Sequence, residues 1–153
     1  MSSVRNDQNR VFVHVEPAPS NGLSLKIRLL IADDHRLVRE GLRLSFEATE
    51  IDIVAEAANG QEAFEALGQH VIDVALTDVN MPVADGFRFL QLTRAIDSPV
   101  RVLMHSVNPG HIRRCRELGA DGFVVKGEDK LVLLAAVRAV YAGNEYWHDP
   151  DAA

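Results

Sequence analysis

The stretch IRLLIADDHRLVREG, Ile27 to Gly41, decides how this chain folds. Six apolar-rich residues end abruptly in two adjacent acids, Asp33 and Asp34, and a segment with helical spacing follows. A compact apolar run of this kind marks a strand covered on both faces. Two unit charges about 4 Å apart repel by roughly 4 kcal/mol at an effective dielectric near 20. Burial worsens that repulsion unless a positive charge offsets it. The pair therefore either points into water or holds a cation.

Working outward, the same rhythm repeats. HRLVREGLRLSFEAT places Leu37, Val38, Gly41, Leu42 and Ser45 on one helical stripe. IDIVAEA is strand-like, and GQEAFEALGQH is helical with Asn59 as its N-cap. VIDVALTDV is a strand, MPVADG a loop, and FRFLQLTRAI a helix that stops before Ser98-Pro99. VRVLMHS, GHIRRCREL and DGFVVK read as strand, short helix and strand; KLVLLAAVRAVYAG is the last helix, ended by Gly143. Strand and helix alternate five times, which predicts a parallel sheet with helices on both faces: a doubly wound, three-layer α/β/α domain. Such folds bind ligands beyond the carboxyl ends of their strands.

Five residues fall at those ends: Asp33 and Asp34, Asp78, Ser106 and Lys126. Carboxylate and carbonyl oxygens, completed by water, suit Mg²⁺, and the ion would offset the repulsion between the acids. A carboxylate can also attack phosphorus to form an acyl phosphate, with Mg²⁺ and Lys126 around the phosphoryl oxygens and the Ser106 hydroxyl donating to one of them. Asp78 is the better nucleophile, because it follows a central apolar run and precedes a roomy loop. Taken singly, each residue has a plainer reading, as a turn, an N-cap or a surface group; the constellation carries the argument. His35 and His105 are expected in packing or surface roles, with His105 turned away from the site by strand alternation. Arg113, Arg114 and Arg116 read as a solvated helix face, and Cys115 as an unreactive thiol.

The bulk properties set the frame. The chain has 153 residues, a formal charge of −6 and one cysteine. That balance gives no general attraction to nucleic acid and no internal disulfide, and it suits the cytoplasm. No apolar run reaches the roughly 20 residues of a membrane helix, and the first ten residues lack a signal-peptide core. Residues 1–25 read as an N-terminal extension in which VFVHVE forms a short strand, 26–143 as the domain, and 144–153 as a tail or the start of a linker.

LLIADDH, LTDVNMPVADG, VLMHS and GADGFVVK, in that order, resemble the receiver domain of bacterial two-component response regulators. The resemblance implies a flavodoxin-like sheet of five strands in the order 2-1-3-4-5. It implies that Asp78 accepts a phosphoryl group from a sensor histidine kinase or phosphotransfer protein, in a protein that is not otherwise an enzyme. Asp33, Asp34, Asp78 and the main-chain carbonyl of Asn80 would hold Mg²⁺; Lys126 would pair with the phosphoryl group. Ser106 would be the switch hydroxyl and Phe123 the aromatic beside it. Switching would repack the face of the fourth helix, fifth strand and fifth helix, a possible homodimer surface. HRLVREGLR and AGNEYWHDP look more like the subfamily of nitrate and quorum regulators, whose receivers precede a helix-turn-helix.

The chain also departs from the family. Val107 replaces a small residue after Ser106 and, with Asn80, would govern access and kinetics at the site. NPGH replaces a longer loop, so a short fourth helix is expected. Gly127 stands where many members have proline. Three other functions compete: a degenerate receiver used as an unphosphorylated binding module, an aspartyl phosphohydrolase, and a nucleotide or flavin binder. The hydrolase lacks a second acid at Asn80. The nucleotide binder lacks a phosphate cradle after the first strand of the repeat.

Overall fold

The structure is a computed structural model that describes residues 25–149 and the backbone of residues 3–5 and 11–13. Near the N-terminus, β1 (Ser3–Arg5) and β2 (Val11–Val13) pair antiparallel. The strand expected in VFVHVE is thus found over its first three residues; the rest of it, and residues 14–24, lie outside the described residues.

The remaining strands are β3 (Ile27–Ala32), β4 (Ile51–Ala57), β5 (Val74–Asp78), β6 (Arg101–Ser106), β7 (Gly122–Val125) and β8 (Tyr146–Trp147). The helices are α1 (Arg36–Phe46), α2 (Gly60–Leu67), α3 (Gly86–Ala95), α4 (Ile112–Glu117) and α5 (Lys130–Tyr141). The strands form one parallel sheet in the order β4-β3-β5-β6-β7-β8. Leu30, Ala32, Ala75, Val102, Met104 and Phe123 meet α2, α3 and α4 through Ala63, Phe89, Leu90 and Cys115. On the opposite face Leu29, Ile31, Leu76, Leu103 and Val124 meet α1 and α5 through Leu42, Phe46, Leu134 and Val137. Each interior strand therefore reads as a nearly unbroken apolar run, because neighbouring residues face two different cores.

The five-stranded order is present with one addition. β8 lies beyond residue 143, where the sequence reading ended the domain. Its pairing with β7 sets Gly122 beside Tyr146 and Phe123 beside Trp147, and Tyr146 and His148 donate to the carbonyls of Asp121 (3.1 Å) and Phe123 (2.9 Å). A Cβ on Gly122 would sit 2.4 Å from the Tyr146 carbonyl oxygen, so glycine is what lets this edge strand approach. The fourth helix is short, as NPGH suggested: a one-turn 3-10 helix, Pro109–His111, leads into the six residues of α4.

Local chemistry places the helices. Asn59 Oδ1 accepts from the Glu62 N–H (2.9 Å), and the Glu62 carboxylate accepts from the Ala58 N–H (2.9 Å), a reciprocal cap on α2. Asp85 caps α3 by accepting from the Arg88 N–H at 2.8 Å. The first turn of α3 lies against the end of β5: Gly86 N–H donates to the Val79 carbonyl (2.8 Å), and a Cβ there would fall 2.1 Å from the Asp78 carbonyl oxygen. Gly86→Ala should therefore lower stability by roughly 2 kcal/mol through overpacking against backbone, measured by urea unfolding. A variant within about 0.5 kcal/mol of wild type would contradict that contact.

Candidate functional site

Asp33 follows β3, Asp78 ends β5 and Lys126 follows β7, all on the sheet face covered by α1 and α5. The ladder fixes their depth: Asp33 N–H donates to the Ala57 carbonyl (3.0 Å), and Lys126 N–H donates to the Ser106 carbonyl (2.8 Å). The Lys126 ammonium then reaches across the sheet. Its Nζ lies 2.6 Å from Asp33 Oδ2 and 3.1 Å from Asp78 Oδ2.

Asp33 and Asp78 are 1 % and 5 % exposed, and Lys126 is half-buried, so two buried acids share one partly shielded ammonium. Burial works against the charge on Lys126, but the hydrogen bond to Asp33 and the charges of both acids outweigh it and hold the ammonium above the ordinary lysine range. For Asp78 burial dominates. Together with the Asp33 charge it raises the carboxyl above the usual range, against the pull of Lys126. The two acids are not equally satisfied. Asp33 has the shorter bond to Lys126 and also accepts from the His35 N–H at 2.8 Å. Asp78 has the longer contact and a weak 3.4 Å approach from the Asn80 N–H. Asp78 is the under-compensated carboxylate.

Asp34, more exposed, completes the acidic rim. Ligand atoms of Asp33, Asp34, His35 and Asp78 all lie within 4.8 Å of one another. Three carboxylates against one ammonium leave two negative charges, and the donors are hard oxygens; this set fits a divalent cation such as Mg²⁺.

The other residues singled out in the sequence fall as follows. The Ser106 Oγ, 1 % exposed as a residue, is bonded to His111 Nδ1 (2.9 Å) and accepts from the Asn108 N–H (3.1 Å); among the described residues its partners are these and not the acids. Phe123 is wholly buried. Val107 is 70 % exposed at the rim, and Asn80 is exposed in the loop after β5. Burial pushes the Cys115 thiol up to about 12, which keeps it inert.

One expectation about histidine needs correction. His105 does not turn away from the site. In the parallel ladder Asp78 pairs with His105, and paired residues share a face. Alternation separates His105 from Ser106, yet it puts His105 on the side of Asp78 and Lys126. Burial, reinforced by Lys126 and opposed by Asp33, lowers the His105 pKa to about 4. His35 is exposed, in keeping with a surface role, and its Nδ1 lies 3.2 Å from Asp34 and 3.4 Å from Asp33.

The arginines also do more than solvate a helix. Arg114 stacks over Phe87 at 4.9 Å and Arg116 over Trp147 at 4.5 Å, while Arg113 pairs with Glu117. Sequence reasoning missed Arg39, which donates to the Asp33 carbonyl (2.7 Å) and to Glu56 (3.2 Å), fixing the acidic turn from α1. Its place four residues before Arg43, on the helix that follows the acids, was the available signal.

With this geometry in view, comparison with known proteins decides the family. The profile of the response regulator receiver domain matches residues 29–138. The chain belongs to the response regulator receiver domain family. A putative transcriptional regulator of Pseudomonas aeruginosa is 38% identical over 128 residues, covering 82% of this chain and 61% of that protein. The probable transcriptional regulatory protein NarL of Mycobacterium tuberculosis is 34% identical over 130 residues, covering 82% and 60%. This receiver thus spans about 60% of the length of the curated relatives it matches. Among solved structures, a LuxR-family two-component response regulator from Aurantimonas sp. SI85-9A1 superposes with TM-score 0.76 at 30% identity, covering 82% of this chain and 91% of that one. The signal receiver domain of the putative response regulator NarL from Mycobacterium tuberculosis gives TM-score 0.74 at 33% identity, covering 78% and 98%. The chain is a receiver of the type carried by two-component transcriptional regulators. Among its described residues, no helix is long and apolar enough to cross a membrane.

The position of His105 has a consequence for pH. A histidine at about 4 in the fold and near 6.5 when unfolded is neutral in the native state while the unfolded chain takes up a proton. Native stability should fall as pH drops from about 6.5 toward 4, by on the order of 3 kcal/mol from this residue. His105→Leu should flatten that slope in urea melts taken across the range. Equal slopes in wild type and variant would contradict the burial of a neutral imidazole there.

Proposed function

We propose that this receiver is a phosphorylation-dependent switch that accepts a phosphoryl group on Asp78 from a sensor histidine kinase or a phosphotransfer protein. The observation that carries this reading is the Lys126 ammonium held between Asp33 and Asp78, with Asp78 left the less neutralised of the two acids. In the transfer, an Asp78 carboxylate oxygen forms a bond to phosphorus as the phosphorus–nitrogen bond of the donor phosphohistidine breaks. The bonding pair returns to the donor imidazole. The product on this chain is an acyl phosphate, which adds roughly −1.5 to −2 of charge.

Asp33, Asp34, Asp78 and the Asn80 main-chain carbonyl would hold Mg²⁺, which when bound supplies positive charge to the phosphoryl oxygens. Lys126 would exchange its contact with the Asp78 carboxylate for one with the phosphoryl group, keeping Asp33 as its anchor. The Ser106 hydroxyl would donate to a phosphoryl oxygen, and buried Phe123 would repack beside it. Val107 and Asn80, exposed at the rim, would govern the access of donor and water. The signal would leave through the face of α4, β7 and α5, which here also carries β8; a homodimer through that face is part of the proposal. The chain would act in the cytoplasm as the receiver part of a transcription regulator, with residues 26–143 as its core. Its charge of −6 supports a reading in which this chain does not itself contact DNA.

Incubation with acetyl phosphate and Mg²⁺ should label wild-type protein and leave Asp78→Ala unlabelled, as read by intact-protein mass spectrometry. Label retained in the variant would move the acceptor elsewhere. An unlabelled wild type would favour the alternative, a degenerate receiver that serves as an unphosphorylated binding module.

A further inference from the structure

The stretch Asn108-Pro-Gly-His111, which shortens the loop after β6, builds a small device around the Ser106 hydroxyl. Asn108 Oδ1 accepts from the Gly110 N–H at 2.8 Å, and the His111 N–H donates to the Asn108 carbonyl at 3.1 Å. This closes a 3-10 turn led by Pro109. The turn aims two groups back at Ser106: the Asn108 N–H, 3.1 Å from Oγ, and His111 Nδ1, 2.9 Å from Oγ. A serine hydroxyl has one proton to give. Oγ accepts from Asn108, and in the His111 tautomer that carries its proton on Nε2, Nδ1 accepts the Ser106 proton.

The far side of His111 is also engaged. Its ring meets Phe87, in the first turn of α3, edge to face, at 5.6 Å between centroids and 89° between planes. Arg114 of α4 lies over the same Phe87 ring at 4.9 Å. The contacts run Ser106, His111, Phe87, Arg114, from a strand end beside the acceptor to the exposed ends of α3 and α4.

We propose that His111 is a positioning residue that holds the Ser106 hydroxyl away from the acceptor and sets how readily this receiver switches. The proposal rests on the phosphoacceptor reading above. A phosphoryl group on Asp78 competes with His111 for one hydroxyl. When Ser106 turns to the phosphoryl oxygen, His111 loses its partner, and its contact with Phe87 passes the change to the surface formed by α3 and α4. The 3-10 turn thereby acts as a latch whose release moves α4, one wall of the output face.

Two substitutions separate the hydrogen bond from the ring contact. His111→Phe keeps a ring against Phe87 and removes the acceptor for Ser106. His111→Asn offers an amide near the position of Nδ1 and removes the ring. The probe is beryllofluoride with Mg²⁺, titrated while following the fluorescence of Trp147, the sole tryptophan, which lies against Arg116 of α4. His111→Phe should bind the probe about five-fold more tightly than wild type, the worth of one neutral hydrogen bond. His111→Asn should restore wild-type affinity. In unaltered protein, the His111 Nδ1 nitrogen resonance should move from a hydrogen-bonded to an unbonded shift when the probe saturates the site. Wild-type binding with no tightening in His111→Phe, equal tightening in both variants, or an unmoved Nδ1 resonance would each overturn the role of His111 while leaving the acceptor reading intact. A wild type that takes up no beryllofluoride would instead overturn the acceptor reading, and the proposal with it.

Discussion

The ammonium of Lys126 between the carboxylates of Asp33 and Asp78 is the interaction on which the rest of this structure depends. Three strands must end at one level for a single side chain to reach 2.6 Å from one acid and 3.1 Å from the other. The doubly wound sheet supplies that level, because parallel strands all deliver their carboxyl ends to the same rim. Two acids buried together need a compensating charge, one lysine gives only half of it, and Asp34 at the rim brings the shortfall to two negative charges. The remainder is an electrostatic deficit built into the fold. A divalent cation at the acidic rim would offset it, and Asp78 is the acid that Lys126 compensates less.

The parts around this triad divide into those that fix it and those that can move. Arg39 and the His35 N–H hold the acidic turn, and the close approach of Gly86 to the Asp78 carbonyl fixes the end of β5 from α3. Each of these contacts involves backbone on at least one side and leaves little freedom. Ser106 differs. Its hydroxyl is bound to a side chain in a short 3-10 turn and so has an alternative partner within reach. The fixed contacts and the exchangeable one lie at neighbouring strand ends, those of β5 and β6.

Much of this was legible before any coordinates. Strands with both faces covered are apolar runs, so β3, β5, β6 and β7 announced themselves, and the acids after β3 and at the end of β5 broke those runs where a soluble core cannot hold charge. Asn59 as a helix cap was readable from local chemistry, and the short fourth helix from NPGH standing where the family has a longer loop. The strand β8 was not. Two residues, Tyr146 and Trp147, carry no periodicity, and their pairing depends on the missing Cβ of a residue 24 positions earlier, Gly122. His105 was misplaced because alternation was judged against Ser106 on its own strand instead of against Asp78, its partner in the ladder. His111 escaped notice because its contact with Ser106 exists only once the 3-10 turn folds the chain back on itself.

The account stands on a fold that stores two uncompensated negative charges for a divalent ion. The direct measurement is the thermal unfolding midpoint as Mg²⁺ is titrated into wild type and Asp34→Ala. The wild-type midpoint should rise with Mg²⁺, equivalent to about 2.7 kcal/mol at a hundred times the dissociation constant, and the variant should respond far less over the same concentrations. A wild-type midpoint indifferent to Mg²⁺, or an Asp34→Ala variant that rises in parallel with it, would contradict the charge deficit and the function drawn from it.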